Sequence, residues 1–135
     1  GQAVRFISSA LHLQYLPLAA DFGPVNLGIV HRFCNCLSHT LSTDKCNIIV
    51  YCIQDSFEAQ ANASFLLGAF MMLNFGWSPQ NAAGPFTCST SPFTLRPFRD
   101  ATFANPTYKL SLLHCLQGLA KAVEEGWYRR ESFDA

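Results

Sequence analysis

Charge is scarce in this chain and neither sign prevails: nine basic residues balance nine acidic ones, and charged residues make up 13% of 135, about half the usual share. So few charges offer no basic stripe for a nucleic-acid backbone and no polybasic patch for a membrane surface, so neither is expected as a partner. A long unbroken apolar run is also missing. The longest, Ala61 to Phe75, is interrupted by Asn62, Ser64, Gly68 and Asn74, and is too short and too polar for the roughly 30 Å of a hydrocarbon core. No basic segment followed by an apolar stretch opens the sequence, so no leader is expected. Methionine and tryptophan occur only twice each. The apolar mass lies instead in aliphatic residues and twelve phenylalanines.

Half the residues are hydrophobic, and a chain this long fits one domain that buries about two thirds of its unfolded surface. Low charge with many phenylalanines implies that part of the apolar surface is covered by a partner. A chain with its own core has no need of staples, so the six cysteines are expected as free thiols in an intracellular protein. They also make a poor metal site. Cys34, Cys36, Cys46, His31 and His39 would have to converge tetrahedrally, yet Cys34 and Cys36 lie about 200° apart around a helix. No metal and no cofactor is expected.

Strands alternate with helices, which makes this an α/β chain. Ala3 to Ile7 and Leu11 to Leu16 read as short strands joined through Ser8-Ser9, with Pro17 ending the second. Asp21-Phe22-Gly23-Pro24 reads as a helix start, with Asp21 as acceptor for free amides and Pro24 at the first helical position. That helix runs to about Leu41, its core side carrying Leu27, Val30, Cys34 and Leu37. Asn47 to Cys52 is a β-branched run, apolar on both faces as central parallel strands are. From Ala59 to Phe75 a helix shows almost no polar side, so it should be covered all round. Ser78-Pro79 caps a short helix that Gly84-Pro85 stops. Residues 86–105, bordered by Pro85 and Pro106 and holding Pro92 and Pro97, read as an irregular connection. Asn105-Pro106 opens the last helix, with Leu112, Leu116, Leu119 and Val123 on one stripe and Gly126 as its stop. The tail, 127–135, should be half ordered, and Glu124, Glu125, Arg129, Arg130 and Glu131 read as a solvated face. His12 stands alone.

Cys52 sits at the end of a strand and six residues before Glu58, in the register of a phosphate-binding cysteine loop. That chemistry needs an arginine at the sixth position to fork onto phosphate oxygens, and glycine so that backbone amides crowd the anion. Here Glu58 holds the arginine's place, residues 53–58 contain no glycine, and Asp55 adds a second carboxylate. The loop is read as degenerate, with no catalytic residue. Cys115 and Lys121 repeat the spacing, but inside a helix the two cannot converge on one phosphate, and lysine lacks the fork.

Four ordered motifs then coincide: Ala20-Asp21-Phe22-Gly23-Pro24-Val25-Asn26-Leu27, Ala61 to Ala69, Pro97-Phe98-Arg99-Asp100-Ala101-Thr102-Phe103, and Cys115-Leu116-Gln117-Gly118 with Gly126 and Phe133-Asp134. Together they resemble the N-terminal domain of the mitotic-exit dual-specificity phosphatases, the cell-division-cycle fourteen family, from about Ala3 to the end. The resemblance implies a phosphatase-like three-layer fold with a small, mostly parallel sheet flanked by helices, and a second, catalytic domain of the same polypeptide to follow. It implies that the first domain is silent. That domain packs on the catalytic one and shapes a groove favouring a basic residue shortly after a phosphoserine-proline or phosphothreonine-proline pair, so the implied partners are phosphoprotein substrates of proline-directed kinases. A nuclear or cytoplasmic location is expected, with cytoskeletal or centrosomal association open. By the resemblance Asp100 lends negative charge to the groove and Arg99 ties its loop to the body. Gln80 to Gly84 depart from the family in being neutral and brief. The alternative is a free-standing interaction module derived from a phosphatase fold, which recruits a partner by an exposed apolar face.

Overall fold

The computed structural model describes residues 2–8 and 13–134. Its elements run β1 (Val4–Ser8), α1 (Leu27–Thr43), β2 (Ile48–Cys52), α2 (Phe57–Phe75), α3 (Pro79–Thr87) and α4 (Leu112–Glu124). This is the expected α/β fold with a small parallel sheet. β1 and β2 pair in parallel, Val4 opposite Ile48 through Ser8 opposite Cys52, and the crossover between them carries α1, as parallel pairing requires.

The sheet has two unlike faces. Ile7, Ile49 and Tyr51 pack against the core, whereas Val4, Phe6, Ile48 and Val50 on the outer face are exposed, Phe6 to 66%. The expectation that 47–52 is buried on both faces is therefore corrected. A β-branched run without polar alternation does not say how many layers cover it, and among the described residues the helical layer lies on one side. Of the second expected strand, residues 11 and 12 lie outside the described residues, and 13–16 form no strand. His12 lies outside them too.

α1 begins three residues later than Pro24. Asn26 is its cap, the Oδ1 accepting from the Ile29 amide at 2.9 Å; Gly23-Pro24 is a cis peptide before the helix, and Asp21 serves elsewhere. Gly23 is required by crowding, because a Cβ there would lie 2.4 Å from Asn62 Oδ1 and 2.6 Å from the Phe98 ring. The buried side of α1 is Ile29, Val30, Phe33, Cys34 and Leu37.

α2 is the central element, packed against α1, α3 and α4, which is what its lack of a polar side demands. Ser56 caps it, accepting from the Ala59 amide at 3.1 Å, and Gly76 ends it in the left-handed region at φ 68°. α3 does not stop at Gly84-Pro85 but runs on to Thr87. Pro85 forfeits only its own amide bond, and the Cys88 amide still reaches the Gly84 carbonyl at 3.0 Å. The last helix starts not at Pro106 but after Ser111, which accepts from the His114 amide while His114 accepts from the Ser111 amide in return. Just before it, Leu110 pairs antiparallel with Phe98. On α4 the buried residues are Leu112, Cys115, Leu116, Leu119 and Ala122, and Val123 turns outward.

The tail is docked. Tyr128 is 2% exposed, and Arg130, expected on a solvated face, donates to Asn74 Oδ1 (2.6 Å), Ser38 Oγ (2.7 Å), Asn35 Oδ1 (3.1 Å) and the Cys34 carbonyl (3.3 Å).

Candidate functional site: a degenerate phosphate loop and a braced acidic loop

A cavity of about 670 Å³ opens at the carboxyl ends of β1 and β2 against the start of α2. This is where a parallel sheet presents ligands to a helix N-terminus. Cys52 and Glu58 line it; Asp55 does not. Among the described lining residues there is no lysine, arginine or histidine. The Cys52 side chain is exposed and finds only the Val50 carbonyl, at 4.0 Å, too long to hold a nucleophile in place. Ser56 Oγ is spent on capping α2. The loop has the position of a phosphate cradle without its cations.

A second carboxylate in the cavity wall was not singled out as a site in the sequence. Asp21 is buried, 4% exposed, and accepts from the Tyr15 hydroxyl and from the amides of Leu18 (3.0 Å) and Ala19 (2.7 Å). The Tyr15 bond, with the Ala19 amide, holds the Asp21 carboxyl below its usual value. The same bond raises the Tyr15 hydroxyl to about 12. A tyrosine six residues before Asp21 was the available signal; the capping role assigned to Asp21 hid it. Opposite, Asn62 of α2 donates to the Phe22 carbonyl at 2.6 Å and accepts from the Val25 amide at 3.2 Å, fixing segment 22–25 to the helix.

Phe22 joins this wall to the other candidate. Its ring lies 5.4 Å from that of Phe98, the buried residue immediately before Arg99 and Asp100. Asp100 is half-buried, and its carboxylate closes the loop on itself. Oδ2 accepts from the Thr107 hydroxyl (2.6 Å) and amide (2.8 Å), and Oδ1 from the Tyr108 amide (3.2 Å). These bonds, the Thr107 hydroxyl first, lower its pKa, so it carries full negative charge near neutrality. Arg99 was expected to tie the loop to the body. Instead its Nη2 donates to the carbonyls of Thr102 (3.1 Å) and Ala104 (2.6 Å) in the same loop, while its Nε is buried without a partner.

Cys34 and Cys115 are buried, and burial raises both thiols to about 11. Lys121 pairs with Glu124 and Glu125 on the outside of α4, away from buried Cys115. His31 contacts the Tyr128 hydroxyl and Asn35 at 3.0 Å each. Among the described residues no group of three or more His, Cys, Asp or Glu side chains could hold a metal ion, and no helix is long and apolar enough to cross a membrane.

The family model for the N-terminal half of dual specificity protein phosphatases matches residues 2–122. The chain belongs to that family. It is 39% identical over 133 residues to the human dual specificity protein phosphatase CDC14A and 38% identical over 135 residues to its mouse counterpart, covering 96% and 98% of this chain. The Caenorhabditis elegans tyrosine-protein phosphatase cdc-14 is 29% identical over 138 residues, covering 96% of this chain. The chain spans about a fifth of the length of these relatives: 22%, 22% and 19%. The match to the N-terminal half of dual specificity phosphatases includes β1 and the Asp100 loop, and reaches to within two residues of the end of α4.

Proposed function

We propose that this domain is the non-catalytic N-terminal half of a dual specificity protein phosphatase, packing on a catalytic domain of the same polypeptide and helping to select phosphoserine- or phosphothreonine-proline substrates with a nearby basic residue. Inside the cell it would meet phosphoproteins made by proline-directed kinases, in nucleus or cytoplasm.

The observation that carries the reading is the sign of charge. Where a working loop needs a guanidinium, Glu58 stands; the cavity wall holds Asp21; and the loop bearing Asp100 fixes a half-buried carboxylate with three hydrogen bonds. Carboxylates repel a phosphate dianion and attract lysine or arginine, so the cavity disfavours phosphate and the Asp100 loop suits the basic part of a substrate. Replacing Asp100 by asparagine in the two-domain phosphatase should weaken discrimination for basic residues after the phosphosite. Unchanged selectivity would reject the role of Asp100. The 135-residue domain alone should not hydrolyse a phenyl phosphate, and activity lost on Cys52→Ser would overturn the assignment.

The bare outer face of the sheet, with Val4, Phe6, Ile48 and Val50 exposed, favours a second reading, a free-standing interaction module. The two separate on whether the coding sequence continues into a glycine-bearing loop with cysteine and arginine.

A further inference from the structure

The loop from Arg99 to Tyr108 contains a residue to which no role has been assigned. Thr107 makes two of the three hydrogen bonds to the Asp100 carboxylate, both to Oδ2, through its hydroxyl at 2.6 Å and its amide at 2.8 Å. Only the hydroxyl is under the control of the side chain. The remaining bond, from the Tyr108 amide, is the longest at 3.2 Å. A carboxylate on a surface loop ordinarily samples several rotamers, and a charge that moves over several ångströms discriminates poorly between ligands that differ by one cation. Here the chain beyond Thr107 is itself held, because Leu110 pairs with buried Phe98 in both directions, at 2.9 and 3.1 Å. The hydroxyl thus locks a charge between two fixed points of backbone.

We propose that Thr107 is a positioning residue for substrate selection: its hydroxyl holds Asp100 in the one orientation from which the carboxylate meets a basic side chain of the substrate. This rests on the reading of Asp100 given above. The hydroxyl donates to Oδ2 from within the loop and leaves Oδ1 with a single, longer bond, so Oδ1 keeps acceptor capacity for an ammonium or guanidinium group. Threonine here acts through the aspartate and does not itself bind substrate.

The test compares Thr107→Val, Thr107→Ser and Asp100→Asn in the complete two-domain phosphatase. The probes are two phosphoserine-proline peptides that differ only by lysine or alanine shortly after the proline. Thr107→Val keeps the shape and deletes the donor. It should cut the kcat/KM ratio of the lysine to the alanine peptide by about tenfold, the scale of one hydrogen bond to a charged group. The loss should fall on KM of the lysine peptide with kcat unchanged, and Thr107→Ser should restore the ratio. Thr107→Ala serves the same purpose if valine perturbs the loop. Should Asp100→Asn abolish the preference while Thr107→Val leaves it intact, Thr107 has no positioning role and the Asp100 reading survives. If Thr107→Ser is as poor as Thr107→Val, the methyl group matters and not the hydroxyl, which also overturns the inference. A preference untouched by Asp100→Asn removes the reading beneath both.

Discussion

Single residues decide how this domain responds to pH, and Tyr15 with Asp21 is the clearest case. The hydroxyl-to-carboxylate bond favours the protonated tyrosine and the ionised aspartate, so the two pKa values move apart: Tyr15 up to about 12, Asp21 down. Tyr15 titrates higher in the folded chain than in the unfolded one. The stability it contributes is complete below about pH 10 and is lost as pH rises from there toward 12. Asp21 and Asp100 are both depressed when folded; what they contribute is present above the ordinary aspartate value and is lost as pH falls through their folded values, below about pH 4. Thermal melting against pH should show both limbs. In Tyr15→Phe the alkaline limb should flatten without vanishing, because the Cys34 and Cys115 thiols, raised to about 11, remain. The acid limb should flatten as well, since Asp21 loses the main cause of its depression and its folded value moves back toward the unfolded one. An alkaline limb identical to wild type would show that the bond does not bias Tyr15 in solution.

At the scale of elements, what was legible in the sequence was type and order, and what was not was decided by contacts distant along the chain. The strand at β2, the presence of α1 and α2 (read at about 24–41 and 59–75) and the cap at Ser78 follow from local pattern, and so does the carboxylate at Glu58 where a phosphate loop needs a cation. Pro24 and Pro106 mark the starts of α1 and α4 too early, because a proline fits the irregular segment before a cap as well as the first helical position. In both places the cap lies further on, at Asn26 and Ser111, and the intervening segment is held by Asn62 in one case and by Phe98 in the other. The Tyr15 and Asp21 pair has no periodic signature, and Asp21 just before Gly23-Pro24 reads equally well as a helix-start acceptor. The contact between α2 and α4 also depends on one position. A Cβ on Gly68 would sit 3.0 and 3.1 Å from the two methyls of Leu116, a residue with no exposed surface. Gly68→Ala gains about 1 kcal/mol of helix propensity but overpacks a site with nowhere to relax, at about 1 to 3 kcal/mol. The net effect should be a loss of about 1 kcal/mol, seen as a melting point lower by a few degrees. Gly118 has open space around its α-carbon, so Gly118→Ala on the outside of α4 should instead stabilise, and equal effects at the two positions would contradict the packing account.

For the whole molecule, the tail fastens helices that the core already packs together. Residues 127–134 follow α4 after the left-handed Gly126, yet they return across α1. The Phe133 ring lies 5.2 Å from His31 and 5.1 Å from Tyr128, and the Tyr128 hydroxyl is 3.0 Å from His31 Nδ1. Arg130 completes the joint, since one guanidinium reaches α1 through Cys34, Asn35 and Ser38 and α2 through Asn74. Asn74 in turn donates to Ser38 at 2.7 Å, a direct bond between the two helices on which the arginine builds. Removing it leaves the half-buried Asn74 Oδ1 without a protein donor, whereas Ser38 keeps its bond from Asn74 and exposed Asn35 turns to water. Arg130→Ala should therefore destabilise the domain by about 1 to 3 kcal/mol. Arg130→Lys should recover little, because an ammonium cannot span four acceptors that a planar fork reaches at once. The tail should release before the core melts: limited proteolysis of Arg130→Ala should cleave within 127–134 under conditions that leave the wild type whole, with α1 and α2 still protected from hydrogen exchange. If cleavage spreads through all helices together, the tail is an integral part of the cooperative unit and not a joint laid upon it. Under the proposed function that distinction matters, because a joint holding the chain against α1 and α2 would set the direction in which a following catalytic half is presented to the Asp100 loop.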